Sequence, residues 1–190
     1  GVKFLRVEFC DNANVIRAKA IHLDALRNRI NTGIGITPAQ QSIPATVDSQ
    51  SPGSGLSPGS GLIPVGEVFL KPVIETIRQI PYSPSHARAI GDIMDGDEPW
   101  AHCPRNFLKK VIDEAKKHEI DIKAAFEPEF YLLRNNNGNL VPNDQSVFAQ
   151  AESMDINLHI IDDIVNALKE QHIDIEAYYP ESGPGQHELS

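Results

Sequence analysis

The sequence predicts an α+β protein made of two parts, and three observations carry this prediction. Apolar and polar residues alternate near the N-terminus, as they do in half-buried strands. A clear helical period appears only after Pro104. Between these regions, residues 95–99 combine Asp, Gly and Pro, which is typical of a turn and of a boundary between domains.

The first part is predicted to begin with a hairpin. Residues 4–9 alternate in polarity, and residues 15–21 supply the second strand. The Asp11-Asn-Ala-Asn14 segment between them is a turn, because Asn and Asp tolerate left-handed backbone and bond their own main chain. A short helix or turn is then expected at residues 24–29. Residues 31–64 are predicted to be mostly loop, followed by strands at 67–71 and 87–93.

Within this loop, Ser51-Pro-Gly-Ser-Gly-Leu56 is repeated immediately as Ser57-Pro-Gly-Ser-Gly-Leu62. Residues 49–64 are therefore predicted to be a surface loop lengthened by a tandem duplication, since Gly, Pro and Ser bury little apolar area. A phosphate-binding loop would need a following Lys-Ser or Lys-Thr pair and a strand-to-helix context. Neither is present.

The second part alternates strands and amphipathic helices. A helix is predicted after Pro104, which suits the first helical turn, and its apolar stripe runs from Phe107 to Ala115. Asn135-Asn-Asn-Gly138 is a hairpin turn signal. Another helix is indicated by the apolar period between Ile160 and Leu168. Strands are predicted at residues 122–133 and 173–179.

Charge and cysteine content exclude several classes of function. The chain of 190 residues has a formal charge of −9, which argues against a general nucleic-acid binder. Cys10 and Cys103 do not have the spacing of a zinc site or a disulfide framework. No apolar run approaches the ~20 residues that span a bilayer, and no signal-peptide pattern opens the sequence. We therefore expect a cytoplasmic protein that binds neither nucleic acid nor membrane.

The acidic residues are concentrated at one end of the sequence. Residues 151–190 contain nine acids and one base, which gives −8 of the total −9. A solvated helix surface accounts for some of them. Others are candidates for binding cations.

The first candidate site is Glu127-Pro-Glu129 inside the predicted strand 122–133. Residues i and i+2 of a strand share one face, so both carboxylates should point the same way. Two carboxylates that face a core need compensation by Lys, Arg or a divalent metal. On spacing alone, a solvent-facing polar strand is an equally good interpretation.

The second candidate site is the segment from Glu181 to Glu188, where two Gly and one Pro force an irregular loop. Such a loop can bring its two terminal carboxylates together. Several carboxylate oxygens are what Mg²⁺ or Mn²⁺ requires. His187 beside Glu188 should point to the opposite face, which favours a structural role or a substrate contact over metal ligation.

Two motifs together resemble the glutamine synthetase family: Phe126-Glu-Pro-Glu-Phe-Tyr-Leu132 and Tyr179-Pro-Glu-Ser-Gly-Pro-Gly-Gln-His-Glu188. The segments around Asp11 and around Cys103-Pro-Arg105 agree with this resemblance, which covers nearly the whole chain. It implies a β-grasp domain at residues 1–100. Residues 101–190 would form the N-terminal part of a catalytic domain whose sheet is incomplete in this chain.

The resemblance also implies roles for individual residues. Glu129, Glu181 and Glu188 would bind the Mg²⁺ or Mn²⁺ ion next to glutamate, and Glu127 would bind the ion on the ATP phosphates. Asp11 would bind ammonium and remove its proton. For Asp11 alone, a plain turn aspartate is the more common interpretation. Substrate would be contacted by the segment Gly185, Gln186, His187.

The implied reaction joins ammonia to glutamate, with ATP as co-substrate, through γ-glutamyl phosphate in a ring of identical subunits. Because family members are more than twice this length, residues 1–190 alone are expected to be inactive. Two alternatives stay open. One is a ligase for another amine, such as a γ-glutamyl-polyamine ligase, and the other is a noncatalytic fragment that binds metal or mediates oligomerisation.

Overall fold

The structure is a computed structural model that describes residues 1–43 and 62–190. The chain divides into two compact units, Gly1–Ile122 and Lys123–Ser190. Most of the predicted loop 49–64, including all of the duplicated segment except Leu62, lies outside the described residues. The predicted domain division near residue 100 stays a prediction.

The first unit is built on a mixed sheet of seven strands. Its strands and helices are β1 Phe4–Cys10, β2 Ile16–His22, α1 Leu23–Arg29, β3 Ile34–Ile36, β4 Val68–Pro72, β5 Arg78–Gln79, β6 His86–Asp95, β7 Glu98–Pro99 and α2 Pro104–Lys117. The strand order is β2-β1-β6-β4-β3, and β5 and β7 also pair with β6. β1 and β6 run parallel, whereas the other pairs are antiparallel. β6 is thus the central strand of the sheet, since it pairs with β1, β4, β5 and β7.

Alternation along β1 supplies the core of this unit. Leu5, Val7 and Phe9 are buried, and the residues between them are only partly covered. They pack with apolar residues of β4 and β6, among which Leu70 and Ile93 are 0% exposed. The period-two pattern that predicted the strand is therefore the pattern that fills the core.

Helix α2 is attached to β6 by polar contacts. The Asp92 carboxylate accepts from Arg105 Nε at 2.9 Å and from Lys109 Nζ at 2.5 Å. Asn106 Nδ2 donates to the Ile93 carbonyl at 2.7 Å. The predicted amphipathic helix is confirmed, although its apolar stripe is exposed within the first unit at Phe107, Leu108, Val111 and Ile112.

The second unit has two small antiparallel sheets and one long helix. Its elements are β8 Glu129–Tyr131, β9 Leu133–Asn136, β10 Asn139–Pro142, α3 Ala151–Glu170, β11 Tyr178–Pro180 and β12 Gln186–Leu189. β9 and β10 form the predicted hairpin, with positive φ at Asn137 (53°) and Gly138 (90°). The other sheet has the order β11-β12-β8. It carries the second candidate motif.

The predicted mixture of helices and sheets is confirmed, but two segments differ from expectation. The segment 31–64, predicted to be mostly loop, includes the short strand β3 and a 3₁₀ turn at Pro38–Gln41 in its described part. The expected strand 122–133 is reduced to β8 and the start of β9, because Pro128 has no N–H to continue a ladder. The expected strand 173–179 begins only at Tyr178, after Glu176 and Ala177 both donate to the Ser190 carbonyl.

Within residues 1–43 and 62–190, no helix combines the length and the apolar character that crossing a membrane would require.

The buried side of β6 offers a test of the core. Ile93→Ala is expected to lower the free energy of unfolding by about 2–5 kcal/mol, because it removes buried methyl groups and leaves a cavity. Ile90→Ala on the same strand is the matched control, since Ile90 is 41% exposed. Urea denaturation of both variants measures the difference. Equal losses would contradict the described orientation of β6.

Candidate functional site

The three-stranded sheet of the second unit places two glutamates and a tyrosine in one row. Tyr179 on β11 lies opposite Glu188 on β12, and Glu188 lies opposite Glu129 on β8. Residues opposite each other in an antiparallel pair share a face of the sheet. We name this side of the sheet the carboxylate face. The two motifs of the sequence thus meet across a strand pair.

Gln186 connects the strands at the carboxylate face. Its Nε2 donates to Glu129 Oε2 at 2.5 Å. Its Oε1 accepts from the Gly183 backbone N–H at 3.0 Å and from the Tyr131 hydroxyl at 3.1 Å. One amide therefore holds Glu129 and the turn before β12 in a fixed relation.

The turn between β11 and β12 requires glycine at its end. Gly185 has a φ of 73°, a left-handed conformation that side chains disfavour. Its carbonyl accepts from the Leu132 N–H at 2.7 Å, and a Cβ here would lie 2.7 Å from the Leu132 carbonyl oxygen. The turn also closes through a bond from Glu181 N–H to the Gln186 carbonyl at 2.9 Å. The backbone geometry thereby sets where Glu181 stands.

Several carboxylates near Tyr179 raise the pKa of its phenol. Its pKa is raised to about 12, first by a hydrogen bond to the Glu188 carboxylate and by burial. The charges of Glu188, Glu181 and Glu127 raise it further. Glu129 joins the same group through its pairing with Glu188. All four predicted metal-binding glutamates therefore belong to one region of the second unit.

No basic side chain compensates this group in the described part of the chain. The ion pairs among residues 1–43 and 62–190 do not involve any of these four glutamates. Glu188 is only 4% exposed, whereas Glu127 and Glu129 are exposed. Like charges directly opposite each other destabilise a strand pair. The donor set, which is all carboxylate oxygen, fits Mg²⁺ or Mn²⁺.

The side chains are not arranged as a finished metal site. Within the described residues, no three or more His, Cys, Asp or Glu side chains are grouped closely enough to hold an ion. The metal-binding roles of Glu127, Glu129, Glu181 and Glu188 stay a prediction. What the structure supplies is the common strand face and the charge that an ion would neutralise.

His187 occupies the opposite side of β12 and is 0% exposed. Its ring lies between those of Phe130 and Tyr178, with centroid distances of 5.9 and 5.8 Å. The Tyr178 hydroxyl and His187 Nδ1 are 3.1 Å apart. The contacts of His187 in this chain are therefore structural. Its substrate contact, like those of Gly185 and Gln186, stays a prediction.

Below His187 lies Asp144, which the sequence did not suggest as a functional residue. Asp144 Oδ2 accepts from Ser153 Oγ at 3.0 Å and from Asn157 Nδ2 at 2.7 Å, and Oδ1 accepts from the Ser146 N–H at 2.9 Å. Ser153 and Asn157 are four residues apart on α3 and so share a helix face. This polar pair on an otherwise apolar face was the one available signal.

Titration of this buried group is shifted in defined directions. Burial alone would raise the pKa of Asp144, but hydrogen bonds from Ser146, Asn157 and Ser153 outweigh it and the pKa is lowered. Burial lowers the pKa of His187, although the Asp144 charge opposes this. Burial and then the Asp144 charge raise the pKa of Tyr178. At neutral pH the group therefore contains a carboxylate, a neutral imidazole and a protonated phenol.

Asp11 lies in the first unit, where it organises the turn between β1 and β2. Its Oδ1 accepts from the N–H groups of Ala13 at 2.8 Å and Val15 at 2.9 Å. Its Oδ2 accepts from Arg17 Nε at 2.5 Å. Buried Gln41 supports the same turn by donating to the Cys10 carbonyl at 3.0 Å. These contacts give Asp11 a structural role, and its catalytic role stays a prediction.

These features define a mixed α/β protein in which a small antiparallel sheet carries a face of carboxylates that form no ion pair with a basic side chain of the described residues. Comparison with known families narrows this class. The family model described as "Glutamine synthetase, catalytic domain" matches residues 101–190. The chain belongs to the glutamine synthetase family.

Curated relatives align with essentially the whole chain. It is 35% identical to type-1 glutamine synthetase 1 of Dictyostelium discoideum, covering 100% of this chain and 41% of the relative. It is 30% identical to glutamine synthetase of Methanococcus voltae, covering 100% and 42%. It is 27% identical to gamma-glutamylpolyamine synthetase of Streptomyces coelicolor, covering 100% and 40%. The chain thus spans about two fifths of the length of the curated relatives it matches.

A solved structure agrees on the fold. A protein described as a novel glutamine synthase homolog superposes with a TM-score of 0.76 at 23% identity, covering 100% of this chain and 43% of that one.

Asp11→Ala is expected to destabilise the first unit by about 3 kcal/mol. It leaves two backbone N–H groups and the Arg17 guanidinium without their shared acceptor in a buried position. Asp24→Ala is the control, since that side chain is 93% exposed. Urea denaturation compares the two, and a wild-type midpoint for Asp11→Ala would refute the structural role.

The second unit is expected to lose stability as the pH falls below about 6.5, the ordinary pKa of His187. Because the folded-state pKa is lower, the unfolded chain binds more protons in this range, and stability present above pH 6.5 is lost on acidification. Asp144 acts with the same sign, but only from its ordinary value of 3.8 downward.

The measurement is urea denaturation at pH 7.5 and 5.5, followed by NMR signals of the second unit. His187→Gln should reduce the pH dependence, whereas His159→Gln on the exposed face of α3 should not. A pH dependence identical in all three proteins would show that His187 is not the group responsible.

Proposed function

We propose that this chain is part of an ATP-dependent ligase that joins ammonia to glutamate through γ-glutamyl phosphate. The observation that carries the proposal is the carboxylate face, where Glu129 and Glu188 lie opposite each other with no compensating base in the described residues. Family membership supplies the reaction class, and the carboxylates supply the ligand chemistry that it needs.

In this proposal Glu129, Glu181 and Glu188 hold an Mg²⁺ or Mn²⁺ ion near glutamate, and Glu127 holds one near the ATP phosphates. Bound ions would neutralise charge on the transferred phosphoryl group. Gln186 fixes the position of Glu129, and Tyr179 does so for Glu188 through a hydrogen bond. In this proposal the polypeptide contributes the carboxylates and orients Glu129 and Glu188 through one hydrogen-bond partner each.

The remaining parts of the proposal concern domains and assembly. Residues 1–100 would form a β-grasp domain, and the family model's start at residue 101 supports a catalytic domain from there onward. Asp11 would bind ammonium and accept its proton, acting on the site of a neighbouring subunit in a homo-oligomeric ring. Cytoplasmic location belongs to the same proposal.

A second candidate is a ligase for polyamines or other amines. The relative named gamma-glutamylpolyamine synthetase, 27% identical over the full chain, favours it specifically. The carboxylate face would be the same in both cases, because both reactions activate glutamate. ADP release by the full-length protein with ammonium, putrescine or spermidine as acceptor separates them.

A noncatalytic metal-binding or oligomerisation role is the third candidate. The Asp11 contacts favour it, because Oδ1 accepts from the turn N–H groups and Oδ2 is already bound to Arg17. ATP- and glutamate-dependent ADP release by the full-length protein with any amine would exclude this role.

The metal proposal predicts Mn²⁺ binding by the chain itself. Glu129→Ala and Glu188→Ala should each weaken Mn²⁺ binding at least tenfold in calorimetry, since each removes a ligand and leaves the other carboxylates unable to enclose the ion. Glu170→Ala is the control, an exposed carboxylate of the same unit. Equal Mn²⁺ binding by all three variants and the wild type would refute the assignment.

A further inference from the structure

The two faces of β12 have different chemistry although its residues are adjacent in sequence. Glu188 is on the carboxylate face, and its neighbours His187 and Leu189 point to the other side, where both are buried. His187 lies opposite Phe130 on β8 and Pro180 on β11. Any force that fixes His187 therefore also fixes the backbone from which Glu188 projects.

His187 is the middle member of a buried polar chain. Its Nδ1 is 3.1 Å from the Tyr178 hydroxyl, and its Nε2 is 3.7 Å from Asp144 Oδ2. Nε2 has no hydrogen-bond partner among the described residues. A phenol that donates to Nδ1 leaves the single imidazole proton on Nε2, directed at the carboxylate. The polar chain thus joins Tyr178 to His187 by a hydrogen bond and places His187 Nε2 in electrostatic contact with Asp144, without a hydrogen bond between them.

Asp144 is itself anchored to α3. Ser153 and Asn157 donate to its Oδ2, and Asn157 is held in turn by Asn143 Nδ2 at 2.6 Å. Because Asp144 precedes α3 and Tyr178 is on β11, the polar chain connects three separate elements to the middle strand of the sheet. The middle strand is therefore attached to the helix by a polar group as well as by its ladder.

A restraint of this kind stabilises the sheet against charge repulsion between the glutamates of the carboxylate face. Glu129 and Glu188 are like charges in directly opposite positions, which weakens a strand pair. β8 has three residues and β12 has four, so few ladder bonds resist that repulsion. The bond from Gln186 to Glu129 resists this repulsion on the carboxylate face, and the packing of His187 adds a second restraint from the opposite face.

We propose that His187 is a positioning residue for Glu188, held by the Tyr178 hydroxyl and the Phe130 and Tyr178 rings, with Nε2 facing Asp144, so that β12 keeps the register that presents Glu188 beside Glu129. The metal role of Glu188 in this proposal rests on the proposed function, whereas the polar chain can be tested without any metal. Groups that orient a ligand in this way commonly change metal affinity by 10–100-fold when removed.

The first experiment uses the metal-free wild-type chain at pH 7.5. Nitrogen-15 NMR of the His187 ring should show the tautomer protonated at Nε2, with an unprotonated Nδ1 that accepts from Tyr178. Tyr178→Phe should shift the Nδ1 resonance. A ring protonated at Nδ1 would overturn the proposed chain regardless of what the metal does.

The second experiment compares Mn²⁺ affinity in three variants by calorimetry. His187→Ala should weaken binding tenfold or more. His187→Gln should stay within threefold of wild type, because its amide oxygen can accept from the Tyr178 hydroxyl while its amide nitrogen faces Asp144. Leu189→Ala is the matched control. Leu189 follows Glu188 in sequence as His187 precedes it, lies on the same face of the sheet as His187 and is 3% exposed, but its side chain has no polar group. The variant should lose stability with little loss of Mn²⁺ affinity.

The outcomes separate this inference from the proposed function. If Glu188→Ala weakens Mn²⁺ binding but His187→Ala does not, the positioning role is wrong and the metal assignment stands. If Leu189→Ala weakens binding as much as His187→Ala, the effect is general destabilisation and the positioning role is wrong. If Glu188→Ala has no effect on Mn²⁺ binding, the metal assignment is wrong. The tautomer of His187 then tests the contacts between Tyr178, His187 and Asp144 independently of metal.

Discussion

The register of β12 is the constraint on which the candidate site depends. Side chains alternate along a strand, so a slip by one residue would move every one of them to the other face. In the observed register, Glu188 stands beside Glu129 and Tyr179, and His187 is enclosed by aromatic rings. In the slipped register, a carboxylate would replace His187 against Asp144. Burying a second carboxylate against Asp144 with no compensating positive charge would be costly and disfavours that alternative.

The buried carboxylates on the two faces of this sheet differ in how their charge is compensated. Asp144 is 7% exposed and receives hydrogen bonds from Ser146, Ser153 and Asn157, so its charge is satisfied within the unit. Glu188 is more buried, at 4%, but among the described residues its carboxylate accepts from the Tyr179 hydroxyl and faces another carboxylate. No basic side chain of the described residues forms an ion pair with it. This difference distinguishes a structural carboxylate from a candidate ligand more clearly than burial does.

Local sequence pattern predicted the elements whose causes are local. Alternation gave β1, the Asn137-Gly138 pair gave the β9–β10 hairpin, and Pro104 with its apolar stripe gave α2. The site was predicted only in part. The spacing of Glu127 and Glu129 suggested one strand carrying both, but β8 begins at Glu129 and the closer neighbour is Glu188 on another strand. A cross-strand pair depends on which strands pair and in which register, and the spacing of residues within one strand does not reveal either. Asp144 was missed because three of its partners, Ser153, Asn157 and His187, reach it only after the chain folds.

The Asp11 carboxylate already accepts hydrogen bonds from three donors. An ionised carboxylate has about four lone-pair sites, and two on Oδ1 are taken by the turn while one on Oδ2 is taken by Arg17. The side chain is 0% exposed within the chain, so ammonium could reach Oδ2 only if the Arg17 guanidinium moved aside. Such a movement would leave the turn intact, because the bonds to Ala13 and Val15 use Oδ1 alone. A structural and a catalytic role are therefore compatible in one residue, provided that Oδ1 serves the turn and Oδ2 exchanges one cation for another.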